Sequence, residues 1–99
     1  MADDNGFEYS LTEFCKLTSL NADAVRELVG VGIIEPRIKR NYWYFSTREV
    51  NVCLRAERLI RDLELTPHGA ALALELMDQN RRLRRKLAYL EQLIDRLSN

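Results

Sequence analysis

The 99-residue sequence has few of the residues that build metal centres and hydrolytic sites. Its single histidine is His68, and its two cysteines, Cys15 and Cys53, lie far apart and form no CxxC pair. Protein metal sites usually show closer, recurring ligand spacings. A glycine-rich phosphate loop and a Ser-His-Asp signature are also missing. We therefore expect no metal, no cofactor and no enzymatic activity, and we interpret both cysteines as small apolar core residues.

Long hydrophobic runs are missing as well. No apolar run approaches the ~18 residues that a membrane-spanning helix needs. The first ten residues, MADDNGFEYS, are acidic and lack the apolar segment of a secretory signal. These features predict a cytoplasmic protein. The 30% of charged residues is typical of a soluble, helix-rich chain, and its length allows one small domain and one extended element.

The first third of the chain predicts two short helices joined by a tight turn, which is a helix-turn-helix. Ser10 and Glu13 form a capping box that opens the first helix, which runs to about Leu17. Asn21 is a good N-cap for the second helix, which ends at Gly30 to Gly32. Helical spacing places these residues on the core faces: Leu11, Phe14 and Cys15, then Val25, Leu28 and Val29.

The middle third predicts a two-stranded wing and a third helix. Pro36 favours an extended chain before strands at 37–40 and 42–45, with Asn41 as the turn. Because strand residues alternate between faces, either Trp43 or Tyr44 should face the core. Trp43 is then either an exposed binding anchor or a residue packed between the wing and the third helix. A second capping box, Ser46 to Glu49, starts the third helix. The residues available for burial there are Val50, Cys53, Leu54, Leu59, Ile60 and Leu63.

The last third predicts a long helix with a heptad repeat. Thr66 and Pro67 are suited to the N-cap and first position of this helix. Its seam consists of Ala73, Leu76, Asn80, Leu83, Leu87, Leu90, Ile94 and Leu97. We expect a winged helix-turn-helix domain at 1–65, a coiled-coil helix at 66–99 and a homodimer through the seam residues from Leu76 onward. Lys86 and Glu91 could pair between parallel chains, but an antiparallel pair or a partner's helix also fits.

Charge is distributed unevenly, although the net charge is zero. Residues 1–35 carry seven acidic and two basic residues, whereas residues 36–64 carry seven basic and four acidic residues. The second helix, which would enter the DNA groove, has Asp23 and Glu27 against only Arg26. DNA binding depends mainly on neutralising phosphates with Lys and Arg. The helix-turn-helix should therefore avoid DNA.

The order of elements resembles the N-terminal domain of MerR-type transcription regulators. The resemblance rests on the helix-turn-helix, GIIEP, the wing and YFSTREV. In that family the second helix typically reads Arg-Thr-Leu-Arg-Tyr-Tyr-Glu, but here only Arg26 matches an arginine, and Asp23 and Glu27 replace the first arginine and first tyrosine. The family's Gly-Tyr-Arg wing is replaced by Asn41-Tyr42-Trp43.

A closer resemblance is to the CbpM family of chaperone modulators, small MerR-like proteins. It rests on LTEFC, VGVGIIEP, the wing with WYF, and ALALELMDQNRRLRRKL, and it covers about residues 7–90. The resemblance implies binding to the J-domain of a CbpA-type, DnaJ-like co-chaperone. It also implies inhibition of that co-chaperone's stimulation of DnaK, the bacterial Hsp70, and of its association with DNA.

An acidic helix-turn-helix is suited to this role, because J-domains present a basic helix that docks on Hsp70. The residues that we expect to contact the partner are Asp23, Glu27, Arg26, Glu13 and Trp43. The alternative is a dimeric MerR-type DNA-binding transcription regulator. It is supported by the winged helix-turn-helix scaffold, by the basic wing residues Arg37, Lys39 and Arg40, and by the arginine-rich segment 81–86. We interpret that segment as the solvated surface of the coiled coil, and direct DNA binding is not expected.

Overall fold

A computed structural model describes residues 8–98, which form a mainly helical protein with a small antiparallel sheet. Its elements, in chain order, are β1 (Glu8–Ser10), α1 (Leu11–Thr18), α2 (Ala22–Gly30), β2 (Arg37–Lys39), β3 (Tyr42–Ser46), α3 (Thr47–Leu63) and α4 (Pro67–Ser98). The predicted winged helix-turn-helix and the long C-terminal helix are both confirmed.

The helix-turn-helix is fixed by the predicted caps. The Ser10 hydroxyl accepts a hydrogen bond from the Glu13 N–H at 3.2 Å, and the Glu13 carboxylate accepts one from the Ser10 N–H at 2.8 Å. Ser19 ends α1 in the left-handed region at φ 63°. The Asn21 side chain accepts a hydrogen bond from the Ala24 N–H at 2.8 Å and starts α2. These local features define where the two helices begin and where α1 ends.

The wing is a hairpin of β2 and β3, as predicted. Its turn contains two residues in the left-handed region, Arg40 and Asn41 at φ 52° and 69°, where the sequence indicated Asn41 alone. Two such residues in succession give a turn whose twist matches that of the strands. The sheet has a third strand, β1, that the sequence analysis missed, and the strand order is β1-β3-β2. β1 therefore joins the wing to the start of α1.

The second predicted capping box is only half formed. The Ser46 hydroxyl accepts a hydrogen bond from the Glu49 N–H at 3.3 Å, as expected. However, the Glu49 carboxylate accepts hydrogen bonds from the Ser46 hydroxyl at 3.3 Å and from the Glu35 N–H at 3.0 Å. Ser46 is also the last residue of β3 and pairs with Glu8 of β1. Glu49 thus links the loop before the wing to the start of α3.

The core lies between the sheet and the first three helices. Phe14 and Phe45 stack at its centre, with ring centroids 4.1 Å apart. The other members of this core cluster are Val25, Leu28, Ile34, Val50 and Cys53. The prediction that Leu54 and Leu63 are buried is wrong, because both are exposed, whereas Ala56 is fully buried. Spacings of three residues link Val50, Cys53 and Ala56 in one stripe of α3, and Leu54 falls beside it.

The first turns of α4 pack on α3, and the rest of the helix extends away. Thr66 caps the helix by accepting a hydrogen bond from the Gly69 N–H at 3.0 Å, and Ala70 is fully buried. From Glu75 to Ser98 every residue is exposed except Leu93, which is partly buried. The principal dimensions of 58 × 34 × 19 Å reflect this extension. Within residues 8–98, no helix has the length and apolar character needed to cross a membrane.

Candidate protein-binding surface

The outer face of α2 is acidic, as the sequence indicated. Val25 and Leu28 point into the core, and the side chains between them are exposed. The Asp23 side chain is 95% exposed and forms an ion pair with Arg26 at 3.2 Å. Glu27 is also exposed and forms no ion pair within residues 8–98. The only cation of α2 is therefore partly neutralised, and the face has a net negative charge.

Glu13 has a structural role besides its predicted one. Its carboxylate closes the capping box of α1 through the 2.8 Å bond from the Ser10 N–H. The negative charge of this carboxylate also interacts favourably with the positive end of the helix dipole, which stabilises α1. The residue is exposed, so it remains accessible to a partner. Replacing it would disturb α1 as well as any contact, and Glu13 is thus a poor probe of binding.

Trp43 lies on the core side of the wing. Its ring meets Phe45 edge-on, with centroids 6.1 Å apart and an interplanar angle of 84°. Trp43 is half-buried, whereas the side chain of Tyr42 is exposed. Trp43 therefore packs against the core through Phe45, and its role as a binding anchor stays a prediction. The exposed part of Trp43 remains available to a partner.

A cleft of about 520 Å³ lies between the start of α1, α2 and the wing. Arg26 and Trp43 both line it, so the fold brings together two predicted partner-binding residues that are distant in sequence. The remaining lining residues are Ser10, Leu11, Thr12, Asn41, Tyr42 and Tyr44. Asp23, Glu27 and Glu13 lie outside the lining. The surface thus combines an aromatic cleft with an acidic helix face.

The basic residues of the wing are partly neutralised by a residue that the sequence analysis did not single out. The Glu8 carboxylate of β1 lies 2.6 Å from Lys39 Nζ and 3.4 Å from Arg37 Nη1. Lys39 Nζ also lies 5.8 Å from the centroid of the Tyr44 ring. No local signal predicted these contacts, because 29 and 31 residues separate the partners and the missed strand β1 positions Glu8.

The heptad seam of α4 is uncovered in the single chain. Its leucines and isoleucine are all more than half exposed, and Leu97 reaches 87%. Asn80 is exposed on the same stripe. The members of the seam expected to form the dimer are Leu76, Asn80, Leu83, Leu87, Leu90, Ile94 and Leu97. Such an apolar stripe on a protruding helix is typical of an interface with another helix.

Within residues 8–98, the acidic residues and the cysteines form no metal site, and the buried thiol of Cys53 is not set up as a nucleophile. In the part of the chain from Glu8 to Ser98, no group of three or more His, Cys, Asp or Glu residues could hold a metal ion. Burial raises the pKa of the Cys53 thiol to about 11, and the neighbouring Thr18 hydroxyl offsets this only in part. A thiol in this state stays protonated at neutral pH and is a poor nucleophile. This agrees with the interpretation of Cys53 as a core residue.

Comparisons with known proteins agree with this architecture. A model of the family described as "MerR HTH family regulatory protein" matches residues 9–92. Proteins named "Chaperone modulatory protein CbpM" from Salmonella newport, Salmonella dublin and Salmonella agona are each 39% identical to the chain over 89 residues. The match covers 89% of this chain and 88% of each relative.

Proposed function

This chain belongs to the CbpM family of chaperone modulatory proteins, within the MerR helix-turn-helix regulatory family, and we propose that it binds the J-domain of a CbpA-type co-chaperone. By occupying the J-domain, it inhibits the stimulation of DnaK and the association of the co-chaperone with DNA. It does so by mass action in the cytoplasm, without catalysis. The observation that carries this proposal is the acidic outer face of α2.

Electrostatics supports α2 as the face that meets the J-domain. A MerR-type DNA reader places cations on this helix, but here Asp23 and Glu27 stand four residues apart on its exposed face. Residues with this spacing are neighbours on a helix. The basic helix of a J-domain is complementary to such a face, and complementary charge mainly raises the association rate and the specificity.

Apolar contacts next to α2 would supply much of the affinity. Tyr42 and the exposed part of Trp43 border the cleft that begins at Arg26. Aromatic residues in well-packed pockets often dominate binding energy at protein interfaces. We therefore propose that the J-domain contacts the α2 face and this cleft together, with Arg26 between them.

We also propose that the protein is a homodimer formed through α4. The exposed seam of that helix gives each chain an apolar stripe with heptad spacing. Parallel chains would allow Lys86 to pair with Glu91 of the partner, while antiparallel chains would bury the same leucines. Neither arrangement uses a seam residue from α2 or from the wing.

DNA binding is the second candidate function, favoured by the family match and by the basic wing residues Arg37, Lys39 and Arg40. Two observations argue against it. The Glu8 carboxylate is paired with two of those three basic side chains. In addition, α2 is acidic on the face that would approach the phosphates. A protein that binds DNA through this surface would bind weakly and with a small salt dependence.

A titration with the purified J-domain of the cognate co-chaperone tests the proposal. We expect a stoichiometric complex, which Asp23→Lys combined with Glu27→Lys weakens at least ~10-fold because the α2 face changes sign. The matched control, Glu57→Lys with Asp62→Lys, makes the same charge change on α3 and should bind like the parent protein. Absence of binding at tens of micromolar contradicts the proposal. Equal weakening by the two double variants contradicts the assignment to α2.

A further inference from the structure

The outer face of the sheet holds a small charged cluster, and its ionic members, Glu8, Arg37 and Lys39, are not among the residues that line the cleft assigned to the J-domain. Paired residues on adjacent strands share a face, and side chains alternate along each strand. Tyr44 pairs with Ser10 on one side and with Arg37 on the other. Glu8, Tyr44, Arg37 and Lys39 therefore lie on one face, while Tyr9, Trp43 and Phe45 lie on the opposite, core-facing side.

One carboxylate in this cluster contacts two cations. Glu8 lies 2.6 Å from Lys39 and 3.4 Å from Arg37, which we call the wing cations. The Glu8 side chain is only 23% exposed, whereas those of Arg37 and Lys39 are 70% and 56% exposed. Glu8 is thus held against the sheet, and the cations extend over it toward solvent.

We propose that Glu8 masks a phosphate-binding site on the wing, and that this internal counter-ion keeps the helix-turn-helix from binding duplex DNA. The wing cations lie on the edge strand β2, Arg40 follows them in the turn, and all three residues are exposed. Glu8 already pairs with two of these three residues, so a phosphate that binds them has to compete with this carboxylate. Among residues 8–98, Glu8 is the carboxylate that pairs with Arg37 and Lys39, and no ion pair to Arg40 is present.

The physical basis is competition between a tethered carboxylate and a DNA phosphate. An exposed ion pair contributes only about 0–1 kcal/mol to folding, so the pairing adds little to stability. Its effect on DNA binding is larger, because affinity rises with each phosphate that a free Lys or Arg neutralises. A carboxylate fixed by β1 remains beside the wing cations at any DNA concentration, and it also repels the phosphate.

This inference goes beyond the proposed function and does not depend on it. J-domain binding is assigned to α2 and the adjoining cleft, whereas the masked site is assigned to the outer face of the sheet. The J-domain proposal and the masked-site proposal can therefore be contradicted independently of each other. The titration with the J-domain tests the first, and a DNA titration of Glu8 variants tests the second.

The experiment measures binding of the full-length protein to a fluorescent duplex of random sequence by anisotropy, over a series of salt concentrations. Glu8→Gln removes the carboxylate charge with little change in size. We expect it to bind at least ~10-fold more tightly than the parent protein at low salt. The plot of log affinity against log salt should steepen by about 1–2, since each added phosphate contact contributes about 0.9. Glu8→Thr, which favours a strand, should give the same result.

Two further variants separate masking from a general change in charge. Glu57→Gln removes one carboxylate from the Glu57–Arg61 pair of α3, at 2.8 Å, and should leave DNA binding unchanged. Adding both Arg37→Gln and Lys39→Gln to Glu8→Gln should reverse most of the gain. The proposal is overturned if Glu57→Gln strengthens binding as much as Glu8→Gln does, or if neither Glu8 variant binds more tightly than the parent protein. Circular dichroism verifies that each variant is folded.

Discussion

Two regions of this protein are stabilised in different ways. The winged body, residues 8–74, contains every fully buried side chain that the structure describes, from Phe14 to Ala70. The distal helix, residues 75–98, contains none, although it carries six of the exposed leucines and isoleucines of the chain. The body buries its own apolar side chains. The distal helix offers an apolar stripe that no other residue within 8–98 covers.

The difference shows that apolar residues at helical spacing can be buried within the chain, as in the body, or remain exposed, as in the distal helix. Both regions have apolar residues at helical spacing, but α1 to α3 meet each other and the sheet, whereas the distal helix extends beyond them. An isolated helix in water is only marginally stable, and most helical stability in proteins comes from tertiary packing. We therefore expect the body to fold by itself and the distal helix to depend on the proposed dimer.

The largest expected effect is the loss of that dimer. Leu83→Asp with Leu90→Asp places two carboxylates in the seam, and burying unpaired charges in an interface is strongly unfavourable. We expect a monomer by sedimentation or light scattering, at concentrations where the parent protein is a dimer. The matched control is Arg85→Asp with Gln92→Asp, which has the same seven-residue spacing on the opposite side of the helix. A monomeric control, or a dimeric seam variant, would contradict the assignment of the seam.

The next effect concerns the body. Phe14 is fully buried and stacks on Phe45, so Phe14→Ala should lower the free energy of unfolding by about 3–5 kcal/mol. Leu97→Ala, at the most exposed seam position, should change the unfolding of the body by less than about 0.5 kcal/mol. Chemical denaturation, followed by the fluorescence of Trp43, measures both values. Similar losses in the two variants would mean that the body and the distal helix do not differ as described.

A smaller effect is expected at a helix cap of the body. The Asn21 side chain accepts a hydrogen bond from the Ala24 N–H, and replacing such a cap by Ala costs about 1 kcal/mol. Asn80→Ala, which changes the same residue type on the distal helix, removes no cap and should leave the unfolding of the body unaltered. The same denaturation curves test this pair. If Asn21→Ala has no effect, the hydrogen bond does not stabilise α2.

Local signals were sufficient to predict much of the fold. The caps at Ser10, Asn21 and Thr66 depend on residues within one helical turn, and all three form. The hairpin wing and the long fourth helix were also predicted correctly from turn residues and periodicity. Features of this kind can be read from sequence because the groups that interact are neighbours along the chain.

The features that were missed depend on distant contacts. β1 has only three residues and forms because β3 provides its hydrogen-bonding partner. The contacts of Glu8 with Arg37 and Lys39 follow from that strand, and the contact of Glu49 with the Glu35 N–H spans 14 residues. Of the predicted partner-binding residues, the fold places Arg26 and Trp43 on one cleft, a proximity that no spacing in the sequence indicated.

The most direct test of the central claim is the rate of ATP hydrolysis by DnaK in the presence of its CbpA-type co-chaperone. We expect added protein to reduce the stimulated rate toward the basal rate, saturating as the J-domain is filled. The Asp23→Lys, Glu27→Lys double variant should inhibit at least ~10-fold less effectively, and the Glu57→Lys, Asp62→Lys control should inhibit fully. Stimulation that remains unchanged at saturating protein would contradict the account.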